Sequence, residues 1–423
     1  MTKLKESTSN AWTALALLLG INLFNYIDRQ VLAALEPEIR DTFFLPTNLN
    51  AMATTGALGS AFLVTYMLSA PALGLLADRF SRWLIIGCAV ILWSLASGAS
   101  GLAATFSLLV CTRILVGIGE GAYGPAAPTI LADHFPLATR GRIIAIFCAA
   151  IPVGSALGYI LAGSISAHLG WRWAFYLVTP PGLLLGALCF TQRDPRSRGI
   201  ERPKKQRASW HDYREIFRAR SYILNTLAQT ATTFALGGLA FWIAEYLNYR
   251  GQSPASGKVI FGVIAATAGL ISTLLGGWVA DRLRGRFGGA YFLVSGIGML
   301  LAFPFFVTML FVPFPVAWIF LFAAVFFSFL NTGPSNTAIA NVAQPAVRAT
   351  AFALNILVIH ALGDVLAFPT IGFIGGHTNM TVAFLVVSGM MLIAGVLWLA
   401  GMKYLAADTA AVEETAPQAE MSI

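Results

Sequence analysis

Six ionisable side chains stand out within long apolar stretches of this chain. Asp28 and Arg29 stand in Asn25-Tyr26-Ile27-Asp28-Arg29-Gln30, Arg113 and Glu120 follow, and His360 and Asp364 come near the C-terminus. Charge in such a stretch is costly, so each is a functional candidate. A carboxylate beside arginine can exchange an ion pair for a proton and so bias two states. Arginine also suits a phosphate or carboxylate group through bidentate contacts. Arg113 and Glu120 share a helix face, about 10 Å apart along the axis. Asp28 and Arg29 point about 100° apart and need partners on other helices. The expected pairing is Arg29 or Arg113 with Asp28 or Glu120. His360 and Asp364 form an i,i+4 pair on one face, which suits either a site or a structural contact. Glu245, near the end of its apolar run, reads as a solvated interfacial acid.

The elements that position these residues are membrane spans. Hydrophobic residues are 57% of the chain and charged residues 11%, against roughly 45–50% and 25% in soluble proteins. Mean hydropathy is +0.74. Such a chain cannot cover itself for water, which excludes a soluble domain, a disordered chain, a disulfide scaffold and a nucleic-acid binder. About 20 apolar residues cross a bilayer as a helix. Twelve such runs are predicted, at 11–34, 53–77, 83–104, 106–130, 143–168, 171–190, 221–249, 257–280, 289–311, 315–340, 350–375 and 380–405. The predicted class is an all-α membrane protein of twelve transmembrane helices. Loops on one side hold 21 Lys and Arg, and loops on the other hold four: Arg40, Arg172, Arg250 and Lys258. The positive-inside rule then makes both termini cytoplasmic, in the cell (inner) membrane. The first run is not followed by a small-residue cleavage site, so it reads as a span that stays attached. Cys88, Cys111, Cys148 and Cys189 read as small core residues.

A polar, basic segment at 191–220 divides a first six-helix half (1–190) from a second (221–405), with a disordered tail at 406–423. The halves repeat. Gly74-Leu-Leu-Ala-Asp78-Arg79-Phe-Ser-Arg82 follows span 2, and Gly277-Trp-Val-Ala-Asp281-Arg282 follows span 8, with the two aspartates offset by 203 positions. Arg140 after span 4 and Arg348 after span 10 repeat at 208. A repeated half places a substrate path between the halves, near the midplane. Asp78, Arg79, Arg82, Arg140, Asp281, Arg282 and Arg348 are therefore candidate gating residues, an acid at a helix end facing a dipole and pairing with arginine.

Small and aromatic residues add detail. Ile151-Pro152-Val153-Gly154-Ser155-Ala156-Leu157-Gly158-Tyr159 in span 5 permits a kink and close helix approach. Gly237-Gly238 is a candidate flexure point. Asn331, Thr332, Ser335 and Asn336 form a polar stripe in span 10, suited to substrate contact or to interhelical hydrogen bonds. Most of the 30 phenylalanines should face lipid or neighbouring helices.

The two Gly-x-x-Ala-Asp-Arg loops resemble the loop signature of the major facilitator superfamily, although Ser81-Arg82-Trp83 departs from its usual Gly-Arg-Lys/Arg. Asn25-Tyr26-Ile27-Asp28-Arg29 resembles the span-1 signature of the Spinster lysolipid and sphingolipid transporters. So do Arg113-Ile-Leu-Val-Gly117-Ile-Gly119-Glu120-Gly-Ala-Tyr123, the span-5 run and His360-Ala-Leu-Gly363-Asp364. The resemblance, to a bacterial member of that family, implies a proton-linked, alternating-access carrier of amphiphilic anions such as lysophospholipids or sphingosine-1-phosphate. It makes Asp28 the candidate proton site with Arg29, Arg113 and Glu120 as its charge partners. Candidate substrate contacts are Asn25, Arg29, Arg113, Tyr123, Asn331, Ser335, His360 and Asp364. A monomer with no cofactor and no metal is expected, its partners being the lipid or organic-anion substrate, protons and the bilayer. The rival is a symporter or drug exporter for a small, water-soluble organic ion. A membrane enzyme or receptor is the distant alternative, without Gly-x-Ser-x-Gly, His-Glu-x-x-His or P-loop.

Overall fold

The computed structural model describes residues 2–135, 137–194, 217–344 and 347–415. Among these residues every regular element is helical. That follows from the solvent, because an apolar chain in lipid must satisfy its backbone polar groups within each segment. The elements are α1 (Thr2–Ala34), α2 (Glu36–Phe43), α3 (Ala51–Arg79), α4 (Arg82–Gly101), α5 (Phe106–His134), α6 (Leu137–Leu169), α7 (Trp171–Cys189), α8 (Arg220–Tyr249), α9 (Pro254–Arg284), α10 (Ala290–Phe311), α11 (Val316–Phe329), α12 (Thr332–Val342), α13 (Arg348–Ile359), α14 (Val365–His377) and α15 (Met380–Thr415). Eleven of the described helical stretches are long and apolar enough to cross a membrane. The remaining expected span is α7, whose 19 residues rise roughly 28 Å, about one hydrocarbon core. Six spans precede the linker and six follow it, the two six-helix halves read from the repeat.

Four features depart from the simple span list. The short helix α2 stands where a loop is expected. Pro37 fits its first turn, and Glu36 and Glu38 oppose the positive end of its dipole. Span 10 is two helices, α11 and α12, broken at Leu330-Asn331 ahead of Gly333-Pro334, since proline lacks the amide the ladder needs. Span 11 contains a π-helical turn at His360–Asp364 between α13 and α14. The last helix runs to Thr415, into the segment read as a disordered tail. Most of the linker and the tail from 416 onward lie outside the described residues.

By contacts the chain forms two compact units: Met1–Glu201 with Ala240–Ala266 and Phe368–Met380, and Arg202–Leu239 with Thr267–Ala367 and Thr381–Ile423. In the first, α1 packs on α6, α3 on α5, and α4 on α5 and α7. The span-5 glycines explain the first contact. A Cβ at Gly154 would lie 2.6 Å from the Leu23 carbonyl oxygen, and one at Gly158 would lie 2.7 Å from that of Ile27. In the second unit, Trp398 Nε1 donates to Asn225 Oδ1 at 2.7 Å, and Asn225 Nδ2 donates to the Ser335 carbonyl at 3.0 Å. The cysteines correct an expectation: Cys88, Cys111 and Cys148 are exposed, and only Cys189 is buried. A small apolar thiol is tolerated at exposed positions of apolar helices, where large side chains such as Leu68, Leu274 and Ile319 are exposed as well.

Candidate transport site

Within the first unit, α1 and α5 bring Asp28, Arg29, Arg113 and Glu120 into one polar region. Arg29 Nε and Nη2 each lie 2.7 Å from Glu120 Oε2. Glu120 is fully enclosed, whereas the Arg29 side chain keeps 22% of its surface exposed. The guanidinium lies over three rings, 5.1 Å from the centre of Tyr26, 4.9 Å from Phe62 and 5.2 Å from Tyr66. Each such face attracts a cation.

The other two charges are held differently. Asp28 is buried; its Oδ1 accepts the Ser97 hydroxyl, and its Oδ2 has no hydrogen-bond partner among the described residues. Arg113 is buried too, its Nη2 donating to Ser100 Oγ and its guanidinium 5.4 Å from the Phe175 ring centre. The expected pairing thus resolves as one direct ion pair, Arg29 with Glu120, and two serine-held charges. Ser97 and Ser100, three apart on α4 and so on one face, were not singled out from the sequence. The signal was Ser94-x-x-Ser97-x-x-Ser100, a small polar repeat at helical spacing inside an apolar run.

A cavity of about 140 Å³ opens beside the ion pair, lined by Asn25, Tyr26, Arg29, Tyr66, Glu120 and Tyr123 among others. At about 30 Å³ per water it holds a few waters or a compact anionic group. Tyr123 presents its ring there, since its hydroxyl donates to the Leu18 carbonyl at 2.6 Å. Asp28 and Arg113 lie outside the lining.

The second unit carries the other candidates. His360 Nδ1 lies 2.6 Å from Asp364 Oδ2 across the π turn. Gly237 abuts the Asp364 carboxyl so closely that a Cβ would collide with Oδ1. Its role is close approach, for α8 runs unbroken through Gly237-Gly238. Asn331 and Ser335 are buried; Asn331 donates to the Ser328 carbonyl, and the Ser335 carbonyl receives Asn225.

The gating candidates separate as well. Arg82 is 2% exposed and lies 2.7 Å from both Asp133 and Asp194. It thereby ties the start of the linker to α4 and α5. Arg79 is exposed. The side chains of Asp78 and Arg140 lie outside the described residues. In the second copy, Asp281 accepts the Tyr291 hydroxyl at 2.9 Å, Arg282 stands 5.7 Å from the Trp278 ring centre, and Arg348 Nε donates to the Ala343 carbonyl at 3.3 Å. Glu245 corrects its expectation: its side chain is 16% exposed and takes Arg40 Nη2 at 2.7 Å, so it is paired and largely shielded from solvent.

The Major Facilitator Superfamily model matches residues 18–368. Over 413 residues the chain is 33% identical to the sphingosine-1-phosphate transporter SPNS2 of Mus musculus, spanning 88% of this chain and 74% of that protein. It is 33% identical over 378 residues to protein spinster homolog 1 of Homo sapiens, spanning 82% and 70%. A crystal structure of a bacterial homolog to the human lysosomal transporter Spinster, inward-facing and unoccupied, matches with TM-score 0.79 at 22% identity, covering 96% of this chain and 98% of that one. A D-xylose–proton symporter matches with TM-score 0.74 at 19% identity, covering 91% and 96%. At those identities the two structures speak for the fold alone.

Proposed function

Because this chain belongs to the major facilitator superfamily and, within it, to the Spinster family, we propose that it is a proton-coupled, alternating-access transporter of amphiphilic anions, of the lysophospholipid or sphingosine-phosphate kind. The observation that carries the reading is the Arg29–Glu120 ion pair at the wall of a cavity that is otherwise lined largely by apolar surface, with Asp28 next to Arg29 in the chain. An anionic headgroup entering the cavity competes with Glu120 for the guanidinium. A proton on Glu120 releases Arg29 to the headgroup. Asp28 is the proton carrier, because its free Oδ2 can take a proton without losing the bond from Ser97. Arg113, on a serine and a ring instead of a carboxylate, is the counter-charge to ionised Asp28 or a second headgroup contact. Asn25 and Tyr123 complete the headgroup wall, and His360, Asp364, Asn331 and Ser335 are the candidates of the second half. The transporter acts as a monomer with both termini cytoplasmic, the side to which its Lys and Arg are biased.

The test is transport by purified protein in liposomes under an imposed pH gradient with labelled lysophospholipid. Gradient-dependent movement of the unaltered lipid is the expected result. Folded protein that moves no lysolipid but moves a small organic ion would replace this reading with the soluble-substrate symporter.

A further inference from the structure

At the end of the first unit that carries α2 lies a second charged cluster, separate from the cavity. Glu36 is 2% exposed. Its Oε1 is 2.5 Å from Thr55 Oγ1 of α3, and its Oε2 is 3.4 Å from Arg40 Nη1 one turn along α2. Arg40 Nη2 reaches across to Glu245 on α8 at 2.7 Å. Glu38 Oε1 accepts Lys258 Nζ of α9 at 2.5 Å and the Ser166 hydroxyl of α6 at 3.3 Å. Because α8 and α9 belong to the second six-helix half, Arg40–Glu245 and Glu38–Lys258 join the two halves at this end. Asp41, also on α2 and 3.8 Å from Arg40 Nε, is 78% exposed and solvated.

Counting charges shows what is unusual. Lys258 serves Glu38 and Arg40 serves Glu245, which leaves Glu36 a buried carboxyl with only a distant share of Arg40. Thr55 tells the same story. Its one hydroxyl proton faces both Glu36 Oε1 and the Met52 carbonyl, 3.1 Å away, and cannot serve both fully. A protonated Glu36 donates to Thr55 and frees that proton for Met52.

We propose that Glu36 is a proton-operated latch: protonated, it leaves Arg40 undivided for Glu245 and holds the halves together at this end; ionised, it draws Arg40 back, repels Glu245 and lets the end open. Burial, with Glu245 and Glu38 adding to it and Arg40 and Thr55 opposing, pushes Glu36 up to about 8 from an ordinary value of 4.5. Opening returns the carboxyl to water and to its ordinary range, so the closed end binds the extra proton. The latch is fully set below about pH 4.5, weakens by up to about tenfold in closed-to-open ratio per pH unit above that, and is released by about pH 8. Glu36 is a site distinct from Asp28, and this inference does not depend on the proton role given to Asp28.

The test is a distance measurement between spin labels at Thr47→Cys and Ser253→Cys, with the four native cysteines replaced, from pH 5 to pH 9 in liposomes. The wild-type background should pass from a short to a long distance as pH rises. Glu36→Gln should keep the short distance throughout, and Asp41→Asn, at the exposed acid of the same helix, should keep the wild-type response. Glu245→Gln, a second variant should Glu36→Gln not fold, should populate the long distance already at pH 5. A wild type without pH response, a Glu36→Gln that titrates like wild type, or a Glu245→Gln closed at pH 5 overturns the latch.

Discussion

A single oxygen carries the ion pair between α1 and α5: Glu120 Oε2 receives both Nε and Nη2 of Arg29 at 2.7 Å, while Glu120 Oε1 has no partner among the described residues. Removing the carboxylate strands a caged guanidinium, and breaking a buried pair from one side costs about 3–5 kcal/mol. Glu120→Ala should therefore lower stability by about 3 kcal/mol, read by denaturant unfolding in detergent. An Arg29→Ala/Glu120→Ala double variant should lose less than the sum of the two singles. Strict additivity would mean that the pair contributes no coupling.

Asp28→Asn should fold and insert, since the amide can still accept from Ser97, yet transport should lose its dependence on the pH gradient. Comparing initial rates at several imposed gradients checks this. A variant with the wild-type pH response would remove Asp28 as the proton carrier.

Arg113→Ala should weaken lysolipid binding by tenfold or more, about 1.4 kcal/mol, measured by tryptophan fluorescence titration of purified protein. Unchanged affinity would move the headgroup away from Arg113 and leave Arg29 as its only cation in this unit's site.

Gly158→Leu should separate α1 from α6, because even a Cβ there meets the Ile27 carbonyl oxygen at 2.7 Å. Overpacking of this kind costs about 1–3 kcal/mol. Val153→Leu on the same helix, at an exposed position, serves as control. Equal melting temperatures for the two variants would remove the packing role of Gly158.

The span architecture was readable because an apolar run of bilayer length has few alternatives to a helix. The four charges were readable for the same reason, each standing out against its run. Their partners were less so. Ser97 and Ser100 are ordinary residues in a membrane helix until α1 and α5 are known to lie beside α4. Glu245 looked solvated because its partner, Arg40, sits on α2, an eight-residue helix rich in charge that reads as a loop. The break at Asn331 did have a signal, Gly333-Pro334, which the hydropathy of the run outweighed. Contacts between elements far apart in the chain are what periodicity cannot supply.

The ring cage around Arg29 has a mechanical consequence. Three aromatic faces fix the guanidinium whether or not Glu120 is charged, so the cation is a stationary post and its anion is the interchangeable part. Neutralising Glu120 leaves the cavity wall with the uncompensated positive charge of Arg29. On the proposed function the wall would then be ready for a headgroup before any helix has moved, and recognition at Arg29 would be a substitution of one anion for another at a fixed point.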